Sequence, residues 1–363
     1  MPFTADELSD INVGVLETYI DKGKIWKQNV QNKPLLNALN DAAGKFTTGK
    51  EFVSYGVKSG QGGGALAGFN GDDQVAYYNP LGLKRARVAW KEHHIGMVVT
   101  QTELKYDGID IVEENSRADQ QDRPQSDREM QALANLLDEK NDALGEDYAF
   151  SLNRLLYGDG TTDAKAIAGI RSWILDAPTL GSSGGISRVA NTWWRNRAAT
   201  TANASAGGQG PITVSNSNGG ALITFMDKEK RQRARYASGA TKVQYFAGSD
   251  FIEGYKQELR ANGWYTNQGW QGSVKPDGFM DDPMIGGVQL QYDPTLDDLG
   301  YNKRCYAIDM GRAGLRLLYA DGMRMKRHNP ARPYDRYVMY NGITMTGVLV
   351  AKQLNTSGVY DIA

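Results

Sequence analysis

Only one cysteine, Cys305, occurs in the 363 residues of this chain. It therefore forms no internal disulfide and no thiolate cluster for zinc or iron–sulfur. Histidine is almost as scarce: His93, His94 and His328 are the three present, too few for a histidine-rich metal centre. No stretch approaches the ~18 consecutive apolar residues that a membrane-spanning helix needs. The most apolar stretches, around 315–320 and 348–351, are strand-sized. An excess of one charge is also missing, since 41 Lys and Arg face 42 Asp and Glu. That balance removes the simplest electrostatic argument for a nucleic-acid-binding protein. The N-terminus, Met-Pro-Phe-Thr-Ala-Asp-Glu-Leu-Ser-Asp, is acidic where a secretory signal would be basic and then apolar. The expectation is a soluble protein made in a reducing compartment.

What is present supports a folded chain. Hydrophobic residues make up 40% and charged residues 23%, enough for two ordinary domains or one core with large excursions. The 42 glycines indicate many turns and extended loops rather than a helical bundle. In the first fifty residues, Thr4 or Asp6 caps a predicted helix through Leu16 and Ile20, and Pro34 opens a short one through Leu39. From Glu51 to Leu104 the pattern turns extended. Phe52–Val57 and Val75–Tyr78 read as strands, and Val88 and Trp90 alternate with charged neighbours further on. Between the first two runs, glycine stands at 60, 62, 63, 64, 68 and 71. A ribbon with so few strands and so little apolar surface is marginal in water, so it must lie on its own body or on another subunit.

The strongest local signal follows. Ser126 and Glu129 form a capping box ahead of Met130, Leu133, Leu137, Asn141, Leu144, Tyr148, Leu152 and Leu155. These positions step at about 3.6 residues, the α-helical period, with Asn141 as the one polar interruption. Gly158 supplies the stop, giving a predicted helix over 126–157 with its acidic face away from a sheet. Residues 160–300 read as a separate α+β region with helices near 219–236 and 250–262 and a strand at Lys242–Phe246. In the last sixty residues, Asp321-Gly322 and Asn341-Gly342 each sit between alternating runs and predict two β-hairpins.

Candidate chemistry falls to simpler explanations. Gly60-Gln61-Gly62 lacks the helix that a dinucleotide fingerprint needs after it. Gly181-Ser182-Ser183-Gly184-Gly185 satisfies G-x-S-x-G, and with Asp297 and His328 it would suit a serine hydrolase using Ser183. However, Asp176-Ala177-Pro178-Thr179 interrupts the strand the motif requires, and a serine–glycine turn explains it better. Asp281-Asp282 and Asp297-Asp298 read as turn acids rather than a glycosidase pair. His93 and His94 point to opposite faces of a strand and cannot chelate one ion together. The basic clusters Lys84-Arg85-Ala86-Arg87, Lys228–Arg235 and Arg324–His328 read as solvated faces and inter-subunit salt bridges, leaving only a weak, non-specific approach to a phosphate backbone.

An arm, a ribbon that cannot stand alone, a long helix, an inserted region and a returning β unit follow one another along the chain. That order resembles the major capsid proteins of tailed bacteriophages, which have the Hong Kong 97-type fold. The segments Gly184-Gly185-Ile186-Ser187-Arg188 and Trp193-Trp194-Arg195-Asn196 are similar to a stretch of one branch of these coat proteins. The resemblance implies an α+β chain with an N-terminal arm (1–50) and an E-loop β-hairpin (51–104). A P-domain (105–159) with spine helix 126–157, an inserted A-domain (160–300) and returning P-domain strands (301–363) complete it. It implies no enzyme, cofactor or metal, but hexamers and pentamers of this chain closing an icosahedral head around double-stranded DNA, which would lie non-specifically against the inner face. Portal, scaffolding and decoration proteins are implied partners, with assembly in the host cytoplasm and residence in the virion. No acidic or coiled-coil scaffolding segment precedes the arm, so any scaffold is expected to be another chain or already removed. Candidates for contact between copies are Lys58, Gly62, Gly63 and Gly64 in the ribbon, Lys84, Arg85, Arg87 and Trp90 on its return, and Arg231 and Arg235 in the inserted region. Lys58 and Lys84 are also positions where a cross-link of the kind some relatives form could start, with no partner residue indicated. An encapsulin-like nanocompartment shell shares the implied fold. A β-rich tail or adhesion protein is a further reading, against which the long helix argues.

Overall fold

A computed structural model describes residues 31–46, 51–60, 66–74, 77, 82–106, 127–216, 219–261, 283–320, 325–328 and 338–363. The predicted arm helix at Thr4–Ile20, the capping residue Ser126, the loop 264–282 and both predicted turn residues Asp321 and Gly322 lie outside the described residues. The chain divides into two compact units, one comprising Met1–Gln31, His93–Ser151 and Arg324–Met345, the other Asn32–Glu92, Leu152–Met323 and Thr346–Ala363.

In the larger unit, the strand Arg304–Asp309 is buried at all six positions, and the sheet is built outward from it. The order is Arg197–Ala199, Gly358–Asp361, Arg304–Asp309, Val243–Ala247, Val288–Tyr292 and Met284–Ile285. Cys305 pairs with Ala247 on one side and Tyr360 on the other. Helices Ala221–Ala234 and Ser249–Ala261 supply Leu222, Met226, Phe251 and Tyr255 to the core over this sheet. The predicted 219–236 and 250–262 helices are thus present. The sheet also takes in Arg304–Asp309 and Gly358–Asp361, from the segment beyond residue 300.

A second sheet in this unit places Gly44–Phe46 parallel to Leu315–Ala320, which pairs antiparallel with residues 347–351. Leu315–Ala320 alternates buried and half-buried positions, as a strand with one covered face must. Helix Pro34–Asp41 buries Leu35, Leu36 and Leu39. Its own N-cap, Lys33, makes no side-chain cap. Instead Asn153 Oδ1 accepts the Leu36 N–H at 3.2 Å.

The ribbon pairs Phe52–Lys58 with Leu83–Ala89, from Phe52 opposite Ala89 to Lys58 opposite Leu83. This corrects the expected partner: Tyr77 belongs to no strand, while Val75, Ala76 and Tyr78 lie outside the described residues. The extended stretch also stops earlier than expected. Lys91–Thr100 is a strand, and Gln101–Tyr106 is a short helix. Thr100 and Glu103 cap it reciprocally, with Glu103 Oε2 accepting the Thr100 N–H at 3.0 Å and Thr100 Oγ1 accepting the Glu103 N–H at 3.3 Å.

The long helix runs Asp127–Leu156, 30 residues and so about 45 Å. Leu144 and Leu152 of the predicted stripe are buried, as are Leu136 and Leu156 beside it. In the smaller unit, Asn141 accepts a 2.6 Å hydrogen bond from Asn341 Nδ2, which explains the polar break in the stripe.

The predicted hairpin at Asn341-Gly342 is corrected. Val338–Ala351 is one 14-residue strand running straight through Asn341-Gly342. A Cβ on Gly342 would lie 2.6 Å from His94 Nε2, so the glycine is there for a close approach to the neighbouring strand and not for a turn. Lys326–His328 pairs with residues 342–344 of that long strand. Asp321-Gly322, the other predicted turn, lies outside the described residues.

Candidate inter-subunit surface

The inner end of the ribbon is fixed by apolar contacts. Val53, Tyr55, Val88 and Trp90 pack with Leu318, Val348 and Val350. Tyr55 donates its hydroxyl to the Ala351 carbonyl at 2.7 Å. Burial pushes the Tyr55 phenol well above its ordinary value, with the Ala351 backbone pulling the other way. Trp90, a candidate for contact between copies, is thus packed within its own chain.

The described residues of the outer end are open to solvent. Leu66 is 105% exposed, Tyr77 93%, Leu83 69% and Phe69 68%. Gly68 and Gly71 have nothing within 4 Å of where a Cβ would be. Gly62, Gly63 and Gly64 lie outside the described residues. Lys84, Arg85 and Arg87 stand exposed along the return strand. Arg231 and Arg235 are exposed on and just beyond helix Ala221–Ala234.

Between these ends, a small hairpin holds the ribbon's return strand. Ser182–Ser183 pairs with Ile186–Ser187. Its two turn residues, Gly184 and Gly185, have φ of 58° and 78°, the mirror-image turn that only glycine enters freely. The Gly184 carbonyl accepts the Arg87 N–H at 3.0 Å. Behind the hairpin lies Arg188, fully buried. Its guanidinium donates to Asn196 Oδ1 at 2.6 Å and to Ser183 Oγ at 2.8 Å and 3.2 Å, and also to the Trp173 carbonyl. None of these acceptors is charged. Burial, followed by the like charge of Arg195, pushes its pKa down to about 9, so it remains a cation near neutrality. Trp194 Nε1 donates to the Ser183 carbonyl, and Trp173 Nε1 to the Leu349 carbonyl, both at 3.1 Å. The stretch that carried the family resemblance is therefore a structural knot tying the ribbon's base to the second sheet. Sequence reading quoted Arg188 but gave it no role, because one buried arginine without an acid has no spacing pattern to betray it.

This geometry also places Ser183. The residue is 3% exposed, and its hydroxyl donates to the Ser172 carbonyl at 2.6 Å while receiving Arg188. A strand–turn–strand surrounds it, where a nucleophile elbow needs a strand, a turn and a helix. The Asp297 carboxylate is occupied, Oδ1 accepting the Ser249 N–H at 3.0 Å and Oδ2 the Tyr292 hydroxyl at 2.8 Å. Asp281 and Asp282 lie outside the described residues. Cys305 is buried, and burial raises its thiol pKa. Among the described residues no group of three His, Cys, Asp or Glu is placed to hold a metal ion. No described helix is long and apolar enough to cross a membrane.

Two of the candidates come together. Lys58 and Arg235 line one cleft of about 670 Å³ beside the tip-side end of the ribbon's paired strands, with Trp193, Tyr236 and Lys352. A second cleft of about 360 Å³ shares Trp193, Tyr236 and Asn355 with the first and adds Arg195 and Arg197. Trp193, Tyr236 and Lys352 carried no sequence signal for this role, since they meet only through folding.

No protein-family model matches the sequence, and no curated protein matches it. Solved structures do match over nearly the whole chain. The capsid asymmetric unit of cyanophage A-1(L) is similar with a TM-score of 0.61 at 15% identity, over 94% of this chain and 96% of that one. The capsid of Myoviridae phage XM1 gives 0.51 at 11% identity, over 94% and 95%. That of cyanophage P-SCSP1u gives 0.52 at 9%, over 94% and 91%. The chain has the Hong Kong 97-type capsid fold in its mixed α+β form.

Proposed function

We propose that this chain is the major capsid protein of a tailed bacteriophage, a structural subunit that assembles with copies of itself into hexamers and pentamers of an icosahedral head around double-stranded DNA. The observation that carries the reading is the ribbon. Its base is anchored in its own chain, and its tip holds out Leu66, Phe69, Tyr77 and Leu83 with nothing covering them. Exposed apolar surface gathered on a projecting element marks an interaction site. The likeness to capsid subunits over 94% of the chain makes another copy the natural cover.

In this reading residues 51–104 form the E-loop, the helix 126–157 the spine of the P-domain, 160–300 the A-domain and 301–363 the returning strands. The function is geometric and non-catalytic, and Ser183 serves the Arg188 knot. Packaged DNA, a portal, scaffolding and possible decoration proteins are its partners, with assembly in the host cytoplasm before incorporation into the virion.

Electron microscopy of the purified protein tests this directly. Closed shells tens of nanometres across are expected at assembly concentrations. A protein that stays monomeric over the whole accessible concentration range would overturn the reading. Shells from the native source should contain DNA; enclosed enzyme in its place would identify a nanocompartment shell instead.

A further inference from the structure

Two of the three histidines meet in the smaller unit. There the strand Val338–Ala351 pairs both with Lys91–Thr100 and with Lys326–His328. His328 stands opposite Gly342 in register, and partners across a ladder point to the same face. From the strand on the other side, His94 reaches over the same glycine. A Cβ at Gly342 would lie 2.6 Å from His94 Nε2, and one at Gly96 would lie 2.9 Å from His94 Cε1. Two strand positions thus lack a side chain where the His94 ring lies, although glycine weakens a strand interior. Over that gap the rings of His94 and His328 come together, with centroids 6.5 Å apart and planes at 83°. Both residues are exposed, so the pair is open to an ion from solution. His93 alternates to the opposite face and takes no part.

Imidazole is a ligand that suits zinc, copper and nickel ions. Two imidazoles sharing one ion, each nitrogen about 2.1 Å from it, have centroids roughly 5–6 Å apart. Exposed side chains change rotamer quickly, and such a change covers the remaining distance here. Glu92 and Lys326 each stand two residues before one of the histidines, on its face of the sheet, and offset each other in charge. The affinity therefore falls to the two rings. Among the described residues no third His, Cys, Asp or Glu joins them, so water completes the coordination.

We propose that His94 and His328 form a two-histidine site for a divalent transition-metal ion of the zinc, copper and nickel class. The ion ties the short strand Lys326–His328 to Lys91–Thr100 across the long strand between them. An ion that binds only the folded chain also stabilises it. Glycine at 342 and 96 is explained by the same arrangement, since a side chain at either would block the path of the His94 ring. The inference is independent of the capsid reading.

The test uses the full chain, dialysed first against a chelator. Calorimetric titration with zinc chloride should show one ion per chain. His94→Gln and His328→Gln should each weaken binding about tenfold or more, as one of two imidazole ligands is lost. Both variants should keep the wild-type circular dichroism spectrum, the two residues being exposed. As a second measurement, electron paramagnetic resonance of copper(II) bound to wild type should show two imidazole nitrogens, which needs no variant to fold. The site is overturned if wild type takes up no zinc at millimolar concentration, or if uptake survives replacement of both histidines. A copper signal with one imidazole nitrogen would overturn it equally. Half an ion per chain would give the site to two copies and sink the pairing within one.

Discussion

Arg188 shows how one residue organises its surroundings through unmet demand. A buried guanidinium is stabilised when every donor finds an acceptor, and here Asn196, Ser183 and the Trp173 carbonyl supply them. Replacing it with methionine keeps most of the stem but strands Asn196 Oδ1 and Ser183 Oγ. A loss of about 2–4 kcal/mol in urea unfolding is expected. Lysine should not rescue it, because one ammonium cannot span the planar fork's acceptors. Asp293 carries a different demand. It is fully buried, and burial raises its pKa despite hydrogen bonds from Tyr157, Thr295 and the Leu35 N–H. A carboxyl with a raised folded pKa binds its proton more tightly folded than unfolded. Its stabilising contribution is full below the unfolded value and is lost as pH rises through the folded one. Asp293→Asn should therefore remove a component of stability that wild type gains on going from pH 7 to pH 4. Chemical unfolding of both proteins across that range checks the sign, and parallel curves would refute it.

Elements in this chain are completed by distant residues. Helix Pro34–Asp41 takes its cap from Asn153. Helix Ala221–Ala234 begins after a glycine without a side-chain cap, and Glu258 accepts the Leu222 and Ile223 N–H groups at 3.0 Å and 2.9 Å. The strand Val338–Ala351 shows the same dependence at Gly342, where the close approach of His94 sets the residue. Gly342→Val should destabilise by about 1–3 kcal/mol through overpacking, despite valine's strand preference; thermal unfolding measures it, and no change would contradict the assignment. These cases explain what could be read from residues alone. The helix Asp127–Leu156 was legible because its 3.6-residue stripe is a property of contiguous sequence. Thr100-x-x-Glu103 was an equally local signal for the helix at Gln101–Tyr106, and it lay unnoticed within a β-rich stretch. Asn341-Gly342 misled because its signature for a turn is identical to that of a glycine required by a neighbour and an asparagine required by Asn141. Of the candidate surface, Lys58 and Arg235 were found as charged positions. Their meeting with Trp193, Tyr236 and Lys352 depends on a fold that brings residues nearly three hundred positions apart into one wall.

At the scale of the whole molecule, the ribbon separates what the chain needs to fold from what it needs to assemble. Among the described residues, Val53, Tyr55, Val88 and Trp90 fix the ribbon on the second sheet and Arg87 on the Gly184 turn. The tip contributes exposed apolar area and two acids, and its own bonds are local. A folded monomer therefore loses little when the tip goes, because exposed segments with few contacts carry little of the global stability. In the proposed capsid reading, an assembly loses the element that reaches the next copy. Deleting residues 60–71 should leave subunits with an unchanged circular dichroism spectrum and a melting temperature within a few degrees of wild type. Those subunits should fail to form closed particles under the electron microscope. The two readouts separate the possibilities: intact shells would remove the ribbon from assembly, while an unfolded variant would mean that the tip supports its own chain. A folded subunit that cannot close a shell is the outcome expected of an element anchored at home and completed abroad.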